Sequence, residues 1–382
     1  MTAIAYTGAR VFDGNSLRDG HALVVDGARV AAITPENALS PDIARQELPG
    51  GILAPGFIDL QVNGGGGVMF NAVPTIETLA TIAATHARLG ATTILPTLIT
   101  DTPEVTRAAI AAVVEAFQQN FPGIAGLHLE GPHLCRARKG AHAGTLTRPM
   151  AAADEDMLIA AADRLTVLKV TLAPEAVTPE QIGRLTDAGI IVSLGHSDCT
   201  VEGAEAAQIA GATCVTHLFN AMSQMTARAP GLVGAALSNG AFSAGLIADG
   251  IHVHPANMRA ALAAKAKLGG IFLVSDAMAP AGSDITRFEL NGREIQRANG
   301  RLTLADGTLA GADLDLATAI RNVHALGVDL AEALTMATSR PAQVAGLSGG
   351  RGHLSPEGPA DFVHLTDDLH LSAVWQSGAR LG

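Results

Sequence analysis

Eight near-continuously apolar runs, separated by Ala-rich segments of helical period, predict an α/β chain folded as a (β/α)8 TIM barrel. The runs are ILAPGFIDLQVNG, ATTILPTLI, GIAGLHLEG, LTVLKVTLAPE, GIIVSLGHS, ATCVTHLFNAM, FSAGLIADGIHVH and GIFLVSDAM; TIETLATIAATHARLG and TPEVTRAAIAAVVEAFQQ typify the segments between them. Polar and ionisable residues close many of these runs, whereas a doubly wound open sheet, the competing architecture, gathers its functional residues at one switch point. Length is the second observation: 382 residues exceed the roughly 250 of a bare barrel and leave room for one small extra unit. A chain 48% hydrophobic and only 16% charged also needs a large buried core.

The first fifty residues have a different texture. IAYTGARVF and HALVVDGARVAAI are short β-rich pieces broken by the turn pairs Asp13-Gly14 and Asp26-Gly27, and the tail GPADFVHLTDDLHLSAVWQSGARL resembles them. A small β-sandwich unit formed by both termini, residues 1–52 plus 347–382, is therefore expected beside a catalytic barrel over 53–346. After the eighth run, Asn291-Gly292, Asn299-Gly300 and Asp306-Gly307 mark hairpin turns, so a β insertion is expected near 284–311, before the closing helices LDLATAIRNVHALG and LAEALTMATSRPAQVAG. Gly64 to Gly67 read as a loop in which backbone approaches something closely, without the Lys and Ser/Thr of a phosphate-binding P-loop.

A formal net charge of −11 with no Lys/Arg-rich stretch argues against a nucleic-acid partner. MTAIAYTGARVFDG lacks a basic segment followed by an apolar one, and no apolar run approaches 18 uninterrupted residues, so a cytoplasmic protein with no membrane partner is expected. Cys135, Cys199 and Cys214 are odd in number and form no CxxC pair, which points to free thiols rather than disulfides or a thiolate metal site.

Chemistry enters at the run ends. Glu130, His196 and His217 each close a run, and on one barrel rim an acid with two imidazoles makes a three-ligand metal site with a position left open for water. Asp276 closes the eighth run and is the natural proton-transfer group. Each alone has a plainer reading, as a satisfied polar residue or a loop cap; their joint placement carries the metal reading.

LAPGFIDLQVNG, HLEGP, KGAH, LGHSDC, VTHLFNAM, IADGIHVH, LVSDAM and ATSRPAQVAGL followed by GPAD resemble, in order and over nearly the whole chain, the amidohydrolase superfamily and within it the N-acetylglucosamine-6-phosphate deacetylase family. The fold so implied is the TIM barrel of the metal-dependent hydrolase type. The resemblance implies that Glu130, His196 and His217 hold one divalent metal ion per subunit, Zn2+ by donor set, with Fe2+ or Mn2+ as alternatives. Many amidohydrolases carry HxH at the end of strand one; Gln61-Val62-Asn63 here implies a mononuclear centre. It further implies that Asp276 is the acid–base group and that His142 donates to the acetamide carbonyl. His252, the backbone N–H groups of Asn220 and Ala221, and Arg228 reaching across a homodimer interface are the implied phosphate contacts, the last suited by its forked guanidinium. His133 and His254 receive no role.

The reaction implied is hydrolysis of N-acetyl-D-glucosamine 6-phosphate to D-glucosamine 6-phosphate and acetate, in amino-sugar catabolism and cell-wall recycling. The small-molecule substrate is thus a phosphorylated amino sugar. The galactosamine epimer and a cyclic amide are alternative substrates. A non-catalytic sugar-phosphate binding protein is the alternative of another class, and Asp276 speaks against it because binding needs no base beside a metal.

Overall fold

The computed structural model describes residues 3–382. Eight parallel strands form the central sheet: β1 (Ile58–Val62), β2 (Thr93–Ile99), β3 (Leu127–Glu130), β4 (Leu168–Leu172), β5 (Ile191–Leu194), β6 (Cys214–Val215), β7 (Ser243–Leu246) and β8 (Ile271–Leu273), each paired with its neighbour in chain order. This is the expected (β/α)8 barrel. Helices cover its outside and side chains fill its inside, so strands such as β1 to β4 are buried at every position and read as continuous apolar runs. Helices Ile76–Arg88 and Pro103–Gln118 begin at Thr75 and Thr102, whose hydroxyls accept from N–H groups three residues on. Their buried faces, Leu79 and Ile82 on one and Ile110 and Val113 on the other, join the main core.

The seam between β8 and β1 closes differently from the other seven. Asp59 Oδ1 and Oδ2 accept from Ser275 N at 3.3 and 3.2 Å, Asp276 N donates to the Gln61 carbonyl at 3.0 Å, and Asn63 N donates to the Ala277 carbonyl at 2.8 Å. The barrel is therefore closed at its C-terminal rim, next to Asp276.

Three runs are shorter as strands than their sequences imply. The first divides in two: Ile52–Pro55 pairs with Phe362–Leu365 and with Arg10–Phe12, and only Ile58–Val62 enters the barrel. The chain crosses at Gly56, where a Cβ would lie 2.0 Å from Thr92 Oγ1. The sixth and seventh leave the sheet at Val215 and Leu246, and the rest of each run becomes rim loop.

Two further sheets hold the terminal segments. One orders Arg29–Pro35, His21–Asp26, Ile4–Thr7 and Ala44–Glu47; the other, six-stranded, joins Leu371–Gln376 and Phe362–Leu365 to Ile52–Pro55 and Arg10–Phe12. Between them Phe362 and Trp375 stack at 4.6 Å with Tyr6 edge-on to both. After β8, strands Arg287–Leu290, Arg293–Ala298, Arg301–Thr303 and Leu309–Ala312 form an antiparallel sheet. Its first two turns, Asn291-Gly292 and Asn299-Gly300, are left-handed at both residues, the conformation such pairs favour. Among the described residues no helix is long and apolar enough to cross a membrane, and all three cysteines are free thiols.

Candidate active site

A cavity of about 330 Å³ opens at the C-terminal rim, lined among others by Glu130, His142, His196, His217, His252 and Asp276. A larger one, about 760 Å³, lies at the opposite end of β6 to β8, between Thr213, Lys265 and Arg340, and gathers no such group of acids and imidazoles. The candidate site is therefore at the rim.

Each central residue leaves a strand end directly. Glu130 is the last residue of β3, while His196, His217 and Asp276 stand two or three residues beyond β5, β6 and β8. The last three adopt left-handed backbone, φ 48, 26 and 50°, and Phe219 and Ala221 on the loop after β6 do the same at 77 and 48°. Non-glycine residues there cost roughly 1–3 kcal/mol each and persist only where surrounding bonds impose them. Those bonds are present. Arg138 pairs with Asp198 at 2.7 Å and its carbonyl lies 2.9 Å from His196 Nδ1; Ser197 and Asp198 are both held by Glu175.

The donor set fits a divalent cation. A carbonyl can only accept, so His196 Nδ1 carries the proton and its Nε2 lone pair points inward. That Nε2 lies 3.2 Å from Glu130 Oε1 and 3.0 Å from His217 Nε2, and His217 Nε2 lies 3.0 Å from the same Oε1. Three electron-rich atoms thus converge in a buried place. Among the described residues His217 Nδ1 has no hydrogen-bond partner. Burial works against the charged carboxylate, yet the two imidazoles beside it, His196 and His217, outweigh burial and hold Glu130 well below the usual carboxylate range.

Glu130, His142 and His196 also bring ligand-type atoms within 4.8 Å of one another. The triad with His217 is tighter, and His142 is held otherwise: Thr100 directs its backbone N–H to His142 Nδ1 at 3.4 Å, and its hydroxyl lies 2.8 Å from Nδ1 and 3.3 Å from the Glu130 carbonyl. Nδ1 then accepts, and the proton assigned to Nε2 faces the cavity 3.8 Å from Glu130 Oε2. Burial, and after it His196, keep this ring well below the ordinary imidazole range and so neutral.

Asp276 is fixed by two amides. Asn63 Nδ2 and Gln61 Nε2 donate to its Oδ1 at 2.7 and 3.1 Å, and Gln61 Nε2 also reaches Glu130 Oε1 at 3.2 Å. Among the described residues Oδ2 has no protein partner. Burial, then the charge of Glu130, pushes Asp276 up to about 6.

The phosphate contacts expected from sequence are dispersed. Asn220, Ala221 and His252 line the cavity. The backbone N–H of Asn220 is not free, because it donates to the His217 carbonyl at 2.9 Å. That of Ala221 donates to no protein group among the described residues. Arg228 lies on the exposed stretch 224–230 and does not line this cavity. His254 caps helix Pro255–Ala264, and His133 bonds the Arg148 carbonyl. Gly64 and Gly65 form a small hairpin with Val68 and Met69 packed on His86, and no cradle opens there.

Other groups escaped the sequence reading. The β insertion covers the cavity with Thr308, Leu309 and Gly311, and it grips the rim through Asn291, which donates to the Thr100 carbonyl at 3.3 Å, and Arg293, which donates to that of Ala141. One layer below Glu130 a buried chain links His128 to Thr171 at 2.7 Å, Thr171 to Thr216 at 2.7 Å and Thr216 to Ser193 at 2.6 Å. Its period-two spacing on the strands was the available signal.

The Amidohydrolase family profile matches residues 52–380, and that of the NagA composite domain matches residues 4–53. The chain belongs to the amidohydrolase family. It is 42% identical to an N-acetylgalactosamine-6-phosphate deacetylase of Shewanella sp. (strain ANA-3), covering 98% of this chain and 95% of the relative. It is 37% identical to an N-acetylglucosamine-6-phosphate deacetylase of Haemophilus influenzae, over 95% and 94% of the two. Among solved structures, the N-acetylglucosamine-6-phosphate deacetylase of Pasteurella multocida superposes with a TM-score of 0.94 at 35% identity, covering 99% of each chain. Residues 52–380 thus include every strand of the amidohydrolase barrel described above.

Proposed function

We propose that the chain is a metal-dependent deacetylase that hydrolyses N-acetyl-D-glucosamine 6-phosphate to D-glucosamine 6-phosphate and acetate. The observation that carries this is one buried cluster in which a Glu/His/His triad, a carboxylate with one free oxygen and a neutral imidazole all face the same cavity. Near-full-length likeness to deacetylases of amino-sugar phosphates supports the substrate class.

Glu130, His196 and His217 would hold one ion, for which two nitrogens and an oxygen suit zinc. Bound there, it would supply Lewis acidity at the amide carbonyl and acidify water. Asp276 Oδ2 takes a proton from the water whose oxygen bonds to the carbonyl carbon, then delivers it to the nitrogen as the C–N bond breaks. Its position near 6 lets it do both near neutral pH. Gln61 and Asn63 aim it by occupying Oδ1. His142 Nε2–H donates to the carbonyl oxygen as negative charge develops there. His252, the Ala221 N–H and Asn220 receive the phosphate, and Arg228 completes that site in the neighbouring subunit of a cytoplasmic homodimer.

A second reading, the galactosamine epimer, is favoured by the 42% identity to a deacetylase of that sugar phosphate. Acetate release from the two epimers, side by side on metal-loaded protein, decides between them. Release from neither overturns the proposal.

A further inference from the structure

One cavity-lining residue assigned to the phosphate, His252, belongs to a buried pair whose other member, Asp249, has no part in the steps above. Asp249 and His252 sit on the loop after β7, each side chain 6% exposed, with Asp249 Oδ2 2.6 Å from His252 Nδ1. Asp249 Oδ1 accepts from the backbone N–H groups of Ile251 and His252, both at 2.8 Å, so the whole carboxylate is used within its own loop. Burial raises its affinity for a proton, but the His252 ring and these N–H groups outweigh that and keep it ionised. The loop is itself anchored: Asn322 donates to the Ala248 carbonyl at 2.8 Å, and His254 caps the helix that follows.

An ionised carboxylate only accepts, so His252 Nδ1 bears a proton. The consequence lies at Nε2, which has no protein partner among the described residues and belongs to a cavity-lining ring. If the ring is neutral, Nε2 is a lone pair and repels a phosphate oxygen. If the ring is charged, Nε2–H is a donor. With Nδ1–H taken up by Asp249, only a doubly protonated ring can donate to a phosphate oxygen at Nε2. The other ionisable groups lining the cavity are Glu130, Arg138, His142, His196, His217 and Asp276; Asp249 is the one that bonds the ring.

We propose that Asp249 is a positioning residue of the phosphate subsite, holding His252 as an imidazolium whose Nε2–H donates to the phosphate of the substrate. This rests on the sugar-phosphate reading of the cavity. Asp249→Asn tests it with little change of shape: Oδ1 still caps the loop, while the amide N–H donates to Nδ1 and leaves a neutral ring protonated at Nε2.

The Asn variant should raise KM for N-acetylglucosamine 6-phosphate about tenfold, the difference between a charge-assisted and a neutral bond, with kcat within twofold. On unphosphorylated N-acetylglucosamine its kcat/KM should match wild type. Combined with His252→Gln, it should add less than twofold to that variant's KM. Nitrogen-15 NMR of the His252 ring at pH 7.5 with saturating inorganic phosphate should show both nitrogens protonated in wild type and only Nε2 in the variant. A KM change under twofold, equal losses on both sugars, or full additivity with His252→Gln overturns the assignment. Wild-type protein that turns over neither sugar breaks the functional reading instead, and the NMR comparison then decides the role of Asp249 by itself.

Discussion

Glu130, His196, His217 and Asp276 are all at least nine-tenths buried and stand at or within three residues of strand ends, and Gln61 ties Asp276 to Glu130 while Asn63 fixes Asp276. Of the groups expected at the phosphate, Asn220, Ala221 and His252 stand on rim loops, and Arg228 lies on the exposed stretch 224–230. A bond to be broken needs groups held within fractions of an ångström in a dry place, where strand register and burial supply both. A phosphate that arrives from water needs charge and donors within reach, and loops, or a second chain, can present those.

The contrast breaks most readily at the metal. Stripping the ion should abolish turnover, and elemental analysis of active protein should give about one ion per chain, since three protein ligands satisfy a catalytic zinc. Two tightly held ions, both needed, would mean that Gln61 and Asn63 do not exclude a second metal.

Asp276→Asn comes next. Turnover should fall by about 10² to 10⁴, with substrate and metal binding kept. More than a tenth of wild-type turnover would remove Asp276 from proton transfer.

Arg228→Ala should act on KM for the phosphorylated sugar, by about 10- to 100-fold, and leave the unphosphorylated sugar nearly unaffected. If Arg228 serves the neighbouring subunit, exchanging subunits between Arg228→Ala and Asp276→Asn proteins restores activity, because one mixed site then carries both defects and the other neither. No recovery despite proven exchange would place Arg228 outside any shared site.

The smallest effect is on stability. Burial pushes Asp59 up to about 7, with Ser275 and Gln61 opposing it and Asp276 adding to it. A carboxyl whose folded value exceeds its unfolded one binds its proton more tightly when folded, so it loses stability as pH rises from about 4 to about 7. Asp59→Asn lacks this loss. Urea midpoints should therefore shift in favour of the variant, relative to wild type, between pH 5 and pH 8; a constant difference would mean that tying β1 to β8 carries no electrostatic cost.

Much of the reaction end was legible in the chain. A parallel barrel sends every strand end to one rim, so residues closing apolar runs could be grouped without knowing any distance, and Glu130, His196, His217 and Asp276, which line one cavity in the structure, were grouped that way. Helix starts such as Thr102-Pro103 are equally local. The run from Ile52 to Val62 was misjudged because both of its halves are buried strands, and only their partners differ.

Hydrophobic period, turn pairs and caps act within a few residues, so the sequence by itself determined the barrel, the β insertion and the kinds of donors at the rim. Tertiary structure decided which of them meet. Gln61 bonds Glu130 and Asp276 across 69 and 215 residues of chain, and Arg293 secures the His142 loop across 152. Such contacts depend on how the last strand closes on the first and where the insertion folds back. The left-handed backbone at His196, His217 and Asp276 has the same origin. No local preference selects it, and the surrounding bonds impose it.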